Sequence, residues 1–472
     1  GDEGVETAGA FDAALGQGFV FHGEGWYRKA DDYAIPGFAE SSALRAEEAL
    51  AGTAPAEETF GTVENSAFET KGGSAGLSRI VEGGFFGVSA TALDTRYGVP
   101  GGHADHGAGE EEGGVVIGLK QRRLDFDSAI ARDMLVFDRA KVRIGYADYE
   151  HTEFEPDGAQ GTLFLNEGVE GRIELIQKTT HLAAADIDGA VGVQAKFRDF
   201  AAIGDEAFTP PSTTRQVGVF AVQEVKRGAL RVELGGRFES TRHEADTLAL
   251  SRSFNAVSVS GGVGFEPADG LFFGVAGLRT ERAPSSEELF SDGAHLATAS
   301  YEIGNPALGV ETARGVEATA RYTMQKFKVA INGFYTSYRD FIYEAETGLE
   351  EDDLPVFAFL QDDAKYFGIE GEVSLPFVER EGLTLLADLR GEYVRAELED
   401  GSPLPRIPPL SLLGALEAQT EAFDARVEVE WFAEQDRVAA GESPTYDFAF
   451  VNTSLEWKPL HNSGSLTILA LS

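Results

Sequence analysis

The sequence predicts an all-β fold: one transmembrane antiparallel β-barrel of about 20–22 strands, with long extracellular loops at one rim and short periplasmic turns at the other. Three observations point there. Apolar residues recur with a period of two rather than 3.6. The opposite faces of the same segments are dense in Glu and Arg. Short and long connections alternate along the chain.

The alternation is plain in several segments. In "GALRVELGGRFES", Leu230, Val232, Leu234 and Phe238 share one face, while Arg231, Glu233, Arg237 and Glu239 share the other. In "DARVEVEWFAE", Val427, Val429 and Trp431 oppose Arg426, Glu428 and Glu430. "FGIEGEVSLPF" sets Phe367, Ile369, Val373 and Leu375 against Glu370 and Glu372. A soluble β-sandwich also alternates, with its polar face in water. Such a chain would show domain-sized repeats and linkers, and none divides these 472 residues. Closing one large sheet instead surrounds a wet lumen with the charged face and turns the apolar face to lipid. A single barrel domain over 1–472 is the resulting expectation.

Short turns are expected at 223–230, 266–273 and 377–384. Long polar excursions are expected around 37–75, 96–114, 279–310, 341–363, 395–411 and 433–446. At roughly twenty residues per strand and connection, the length suits a large barrel.

Composition narrows the function. Lys+Arg number 39 against 79 Asp+Glu, a formal charge of −40, which repels nucleic acid and attracts cations. Cysteine is absent, so disulfides, thiolate metal sites and a Cys nucleophile are ruled out. No run of about 18 apolar residues supports a membrane helix, but barrel strands need only about ten residues of alternating character. No G-x-S-x-G, P-loop or H-E-x-x-H occurs, so no enzyme and no catalytic cofactor are expected.

A family resemblance rests on residues 278–322. Arg282-Ala283-Pro284-Ser285, followed by Glu288-Leu289-Phe290, resembles the extracellular-loop signature of TonB-dependent outer-membrane receptors. Glu302, Gly304, Asn305, Pro306, Leu308 and Glu311 match the "E-x-G-N-P-x-L-x-x-E" that precedes a strand in that family. Locally, Ser285 and Glu288 have the spacing of a capping box and predict a short helix, and Asn305-Pro306 predicts a turn. The mid-chain segment 190–224, the loop "GVPGGHADH" with its glutamates, and 403–417 extend the likeness, most closely to the zinc-uptake subgroup. Residues 18–38 resemble the first barrel strand and its loop, so the family's N-terminal plug is expected to be absent; the chain stops at "LTILALS" where the family closes on an aromatic residue, so the last strand is expected to be truncated.

The resemblance implies an outer-membrane receptor that takes up a metal ion or small metal complex, zinc in the first place. Its implied partners are membrane lipid and the TonB energising system, acting through a plug. A monomer is expected. A siderophore or haem receptor stays open, as does a passive porin-like or structural barrel.

The candidate ligands are loop residues. His103, Asp105, His106, Glu110, Glu111 and Glu112 fall in one glycine-rich stretch, and their nitrogen and oxygen donors suit zinc. The same stretch also reads as a solvated acidic loop, too glycine-rich for a rigid site. His295 with Asp292 is a second metal candidate, in the long loop after the family signature. His22, His151 and Glu302 are candidate substrate contacts, His151 lying among Glu150, Glu153 and Glu155.

Overall fold

The computed structural model describes the chain apart from residues 1–3, 41, 52–58, 101–113, 156–157, 205–206, 296–297, 353, 459–467 and 472. Among the described residues, twenty-three strands share one sheet. Three of them are not wall strands: the hairpin Asp292–His295 with Ser300–Ile303, and the three-residue Thr180–Leu182. The twenty that remain pair antiparallel with their neighbours, as expected for a barrel wall of this class. A barrel wall satisfies every backbone donor and acceptor between strands, which hydrocarbon cannot do.

The two faces separate as the alternation requires. Leu234, Phe238, Val257, Val259, Val263, Phe265, Phe273 and Val275 are large, apolar and exposed, on one continuous outer face. On a soluble monomer an apolar surface of this extent would drive association; on a barrel it faces lipid. The inner face is polar and laced with hydrogen bonds. Thr319 donates to Asn332 at 2.7 Å, and Asn332 to Glu370 at 3.1 Å. Arg172 meets Glu174 and Arg426 meets Glu428, each two residues along its own strand. Arg426 also donates to Asp388 at 2.6 Å, so the inner arginines are largely neutralised and the carboxylate excess remains.

The three expected short turns are all two-residue links: strand Ser212–Arg227 to Leu230–Ala245, Leu250–Ala268 to Leu271–Arg282, and Leu354–Arg380 to Leu383–Leu398. In the second, Gly270 has φ +77°, and a Cβ there would collide with the Thr323 carbonyl of the next strand.

Two expectations need correction. Residues 18–38 do not open the barrel: Val5–Gly16 precedes them and pairs with Phe19–Ala30, setting Asp12 opposite His22. The stretch "VETAGAFDAALG" is rich in Ala and Gly and hides its strand character. Residues 341–363 are not a loose excursion either. Strands Phe327–Glu351 and Leu354–Arg380 stay paired out to Glu351↔Leu354, with irregularities after Tyr338 and Glu346. Above the lipid a strand needs no apolar face, so its acidic sequence reads as loop.

Candidate functional site

The site lies at the long-loop end of the barrel, where the segment between strands Leu271–Arg282 and Glu311–Met324 folds over the mouth. Its first part is the helix Ser286–Phe290. The capping box predicted at its start is present: Glu288 N–H donates to Ser285 Oγ at 3.1 Å, and Ser285 N–H donates to Glu288 Oε2 at 2.7 Å. Arg282 holds Glu288 at 2.9 Å and Glu311 at 3.2 Å, while Arg198 pairs with Glu287 at 2.8 Å. Leu289 and Phe290 are buried with Ala245, Phe254, Leu308 and Ile342. Gly304 N–H donates to Ser291 O and Asn305 N–H to Glu288 O, closing the segment on itself. The signature residues Arg282, Ser285, Glu288, Asn305, Leu308 and Glu311 therefore build the scaffold.

The second part is the hairpin of Asp292–His295 with Ser300–Ile303, a strap at the mouth. On one side Tyr301, Glu302 and Ile303 pair in parallel with Val356, Phe357 and Ala358, extending the sheet. Tyr301, Leu354 and Val356 are buried there, with Ala294 and Ile303 packed against them. On the other side the Asp292 N–H donates to Phe208 O at 2.7 Å. The backbones approach so closely that a Cβ on Gly293 would sit 2.8 Å from Phe208 Cα. The strap thus joins strand Leu354–Arg380 to the segment after Ala185–Ile203.

This geometry brings three of the sequence candidates together. His295 and Glu302 face each other on the strap, Nδ1 to Oε1 at 2.7 Å. His295 Nε2 lies 3.8 Å from Glu153 Oε1, at the outer end of strand Phe137–Phe154. His151 Nε2 reaches the same Glu153 oxygen at 3.4 Å, and the Tyr149 hydroxyl lies 3.2 Å from His151 Nδ1. Tyr149, His151 and Glu153 share a face because strand side chains alternate. Phe208 stacks on the His295 ring at 4.2 Å and 17°, and Phe164 lies 4.6 Å from the His151 ring.

Glu153 stands above Ile144, the last exposed large apolar residue of its strand, so the cluster is outside the lipid. Burial opposes charge on His295, but Glu153 and Glu302 overcome it and raise the imidazole from 6.5 to about 9. Burial likewise opposes charge on Glu153, and hydrogen bonds and charge from His151 and His295 win, lowering it to about 2. Burial and then Glu302 push Glu344 upward. As it stands the cluster holds the His295 imidazolium between the Glu153 and Glu302 side chains, with His151 beside it.

The other candidates lie apart. The Asp292 carboxylate accepts from the Tyr301 hydroxyl at 3.2 Å. His22 sits on the inner face of the first hairpin, 2.9 Å from Asp12 and 3.6 Å from Glu24. His103, Asp105, His106, Glu110, Glu111 and Glu112 lie outside the described residues. Sequence reasoning noted Glu153 only as an acidic neighbour and passed over Phe164, Phe208 and Glu344. The His-x-Glu spacing on one strand face was the available signal for Glu153. Nothing local marks the two rings, which arrive from other strands.

Known proteins place this architecture. Residues 64–470 match the family model described as TonB dependent receptor-like, beta-barrel. Among solved structures, the copper transporter OprC is 15% identical with a TM-score of 0.75, covering 98% of this chain and 72% of its own. The hemophore receptor HasR of Serratia marcescens is 13% identical, TM-score 0.72, covering 97% and 75%. The siderophore receptor PirA from Pseudomonas aeruginosa is 12% identical, TM-score 0.69, covering 98% and 72%. At these identities the likeness is one of fold. The family match extends over most of the chain, and the protein belongs to the TonB-dependent receptors, the outer-membrane β-barrels of receptor and transport function.

Proposed function

We propose that this receptor takes up a metal ion or small metal complex, zinc in the first place, and that His151, Glu153, His295 and Glu302 form its capture point. The observation that carries the proposal is their convergence from a barrel strand and a loop strap at the mouth. Two imidazoles and two carboxylates are a borderline-metal donor set; calcium or magnesium would ask for oxygen alone. Among the described residues no three donors are arranged to hold an ion as they stand. In this reading the proton on His295 occupies the place of the metal, and zinc enters by displacing it and drawing both Nε2 atoms inward. The loop bearing His103, Asp105, His106 and Glu110 to Glu112 gathers ions from outside. The −40 charge concentrates cations at the rim and lumen, an effect that weakens with salt. Passage inward follows when the TonB system pulls on a plug domain.

A second reading, a ferric chelate or haem, draws on the rings of Phe164 and Phe208 beside the histidines. Solved neighbours of the same fold include a copper transporter, a hemophore receptor and a siderophore receptor, so the fold serves either cargo. The test is calorimetric titration of the folded barrel with zinc and, separately, with haem and a ferric siderophore. His151→Ala/His295→Ala is expected to weaken zinc binding by at least about 10-fold. His103→Ala/His106→Ala measures the loop's share. Zinc binding unchanged in the first variant, with chelate binding lost, would overturn the zinc reading in favour of the second.

A further inference from the structure

Behind the donor atoms of the mouth stands an aromatic layer. His151, Phe164, Phe208 and His295 form one ladder of rings. Centroids are 4.6 Å apart for His151 and Phe164, 5.8 Å for Phe164 and Phe208, and 4.2 Å for Phe208 and His295. Each histidine thus rests on a phenylalanine, and the two phenylalanines rest on each other. Phe164 is 5% exposed and Phe208 7%, so both are committed to this packing. Phe164 comes from strand Gln160–Gln177, and Phe208 from the segment after Ala185–Ile203. That segment is pinned to the strap twice, by the Asp292 N–H on Phe208 O and by the buried hydroxyls of Thr209 and Ser291, 3.1 Å apart.

The ladder restrains each imidazole against tilting, and a polar neighbour restrains it within its plane. Glu302 Oε1 lies 2.7 Å from Nδ1 of His295, and the Tyr149 hydroxyl 3.2 Å from Nδ1 of His151. Both Nε2 atoms are thereby left on one point, Glu153 Oε1, at 3.8 Å and 3.4 Å. The donors approach from two elements, the wall strand Phe137–Phe154 and the strap. Two ring nitrogens and a carboxylate oxygen converging this way suit a four-coordinate ion whose last position is open to water or a cargo ligand. Copper(II) asks for donors in one plane, and it binds more tightly than zinc wherever the donors are free to move there.

We propose that Phe164 and Phe208 are positioning residues that set the metal preference of the mouth, an assignment that rests on the zinc reading of the cluster. Neither ring touches the ion. Drawing the Nε2 atoms inward slides each imidazole across its phenylalanine. Turning the imidazoles into a common plane would break the stacks and open a void in a buried cluster. Zinc needs only the first movement, and copper(II) needs the second. The rings therefore remove much of the advantage that copper(II) has over zinc on a loose set of the same donors.

The test uses the folded barrel carrying His103→Ala/His106→Ala, so that those histidines add no sites, and measures zinc and copper(II) affinities against a competing chelator. In this parent, Phe208→Leu keeps an apolar side chain but removes the stack. It should weaken zinc binding about 10-fold, the usual cost of disturbing an outer-shell partner, and leave copper(II) within about 2-fold. Phe208→Tyr retains the ring and should keep the parent's ratio of the two metals. Cobalt(II) bound to the parent should show the intense visible absorption of a four-coordinate ion. Equal loss of both metals in Phe208→Leu, an unchanged ratio, or Phe208→Tyr behaving like Phe208→Leu would overturn the proposal. A weak, six-coordinate cobalt spectrum in the parent overturns it too, and decides the matter even if the variants fold poorly. His151→Ala/His295→Ala separates the two levels. Zinc binding that survives it removes the capture point itself; zinc binding lost there, with the metal ratio unmoved by Phe208→Leu, removes only the role of the rings.

Discussion

Two histidines in this barrel each lie between two acidic side chains, and they do different things. His22 contacts Asp12 and Glu24, all within one hairpin, and its side chain is 40% exposed against 73% for Asp12. His295 contacts Glu302 on its own strap and Glu153 on a distant strand, and the exposures fall to 20% and 6%. The partner types match and the environments do not. Water screens the first arrangement and leaves little net interaction. In the second, water is displaced, so the charges interact strongly and the loss of one partner strands the others. Convergence of distant strands, rather than the presence of His and Glu, distinguishes the candidate site.

The comparison breaks most readily at Glu153. Glu153→Gln leaves His295 with one carboxylate and His151 without its acceptor charge. Opening of the strap should become easier by about 3 kcal/mol, read as hydrogen exchange at Tyr301 to Ile303. Unchanged protection would mean that the strap is held by Tyr301, Leu354 and Val356 alone. The pH dependence sharpens the same point. His295 holds its proton more tightly in the folded mouth, so its contribution is complete below 6.5 and is lost as pH rises through about 9. Glu153 has the opposite sign: its contribution is present above 4.5 and is lost as pH falls through about 2. Strap protection, corrected for intrinsic exchange, should therefore hold between 4.5 and 6.5 and fade on approach to pH 9. A profile flat to pH 10 would contradict the ion pairing.

A smaller effect is expected at Ser285→Ala, which removes the cap of the helix that seats the strap. The cost should be about 1 kcal/mol in thermal or denaturant unfolding of the loop segment. Smallest of all is His22→Ala, for which no measurable change in barrel stability or strap protection is expected. A clear loss there would show that exposure does not separate the two histidines as argued.

How much of this was legible in the sequence follows the same line. The wall was legible because lipid on one face and water on the other impose a period of two, as at Leu230 to Glu239. The helix at Ser286 was legible because a capping box is local. Val5–Gly16 was missed for want of large side chains, and the outer part of the long hairpin, read as an excursion at 341–363, because outside the membrane its alternation has no apolar partner. His151, His295 and Glu302 could be named singly. Their meeting at Glu153 depends on a strap that adds in parallel to a strand more than 50 positions later in the chain, at Tyr301↔Val356. No local pattern encodes that pairing.

The central claim is that zinc takes the place of the proton on His295. It is tested most directly by titrating zinc into the wild-type barrel at pH 7.5, between the ordinary histidine value and about 9, in two buffers of different ionisation enthalpy. The account predicts release of about one proton per zinc bound, absent in His151→Ala/His295→Ala. Zinc binding with no proton released, or the same release from the double variant, would contradict it.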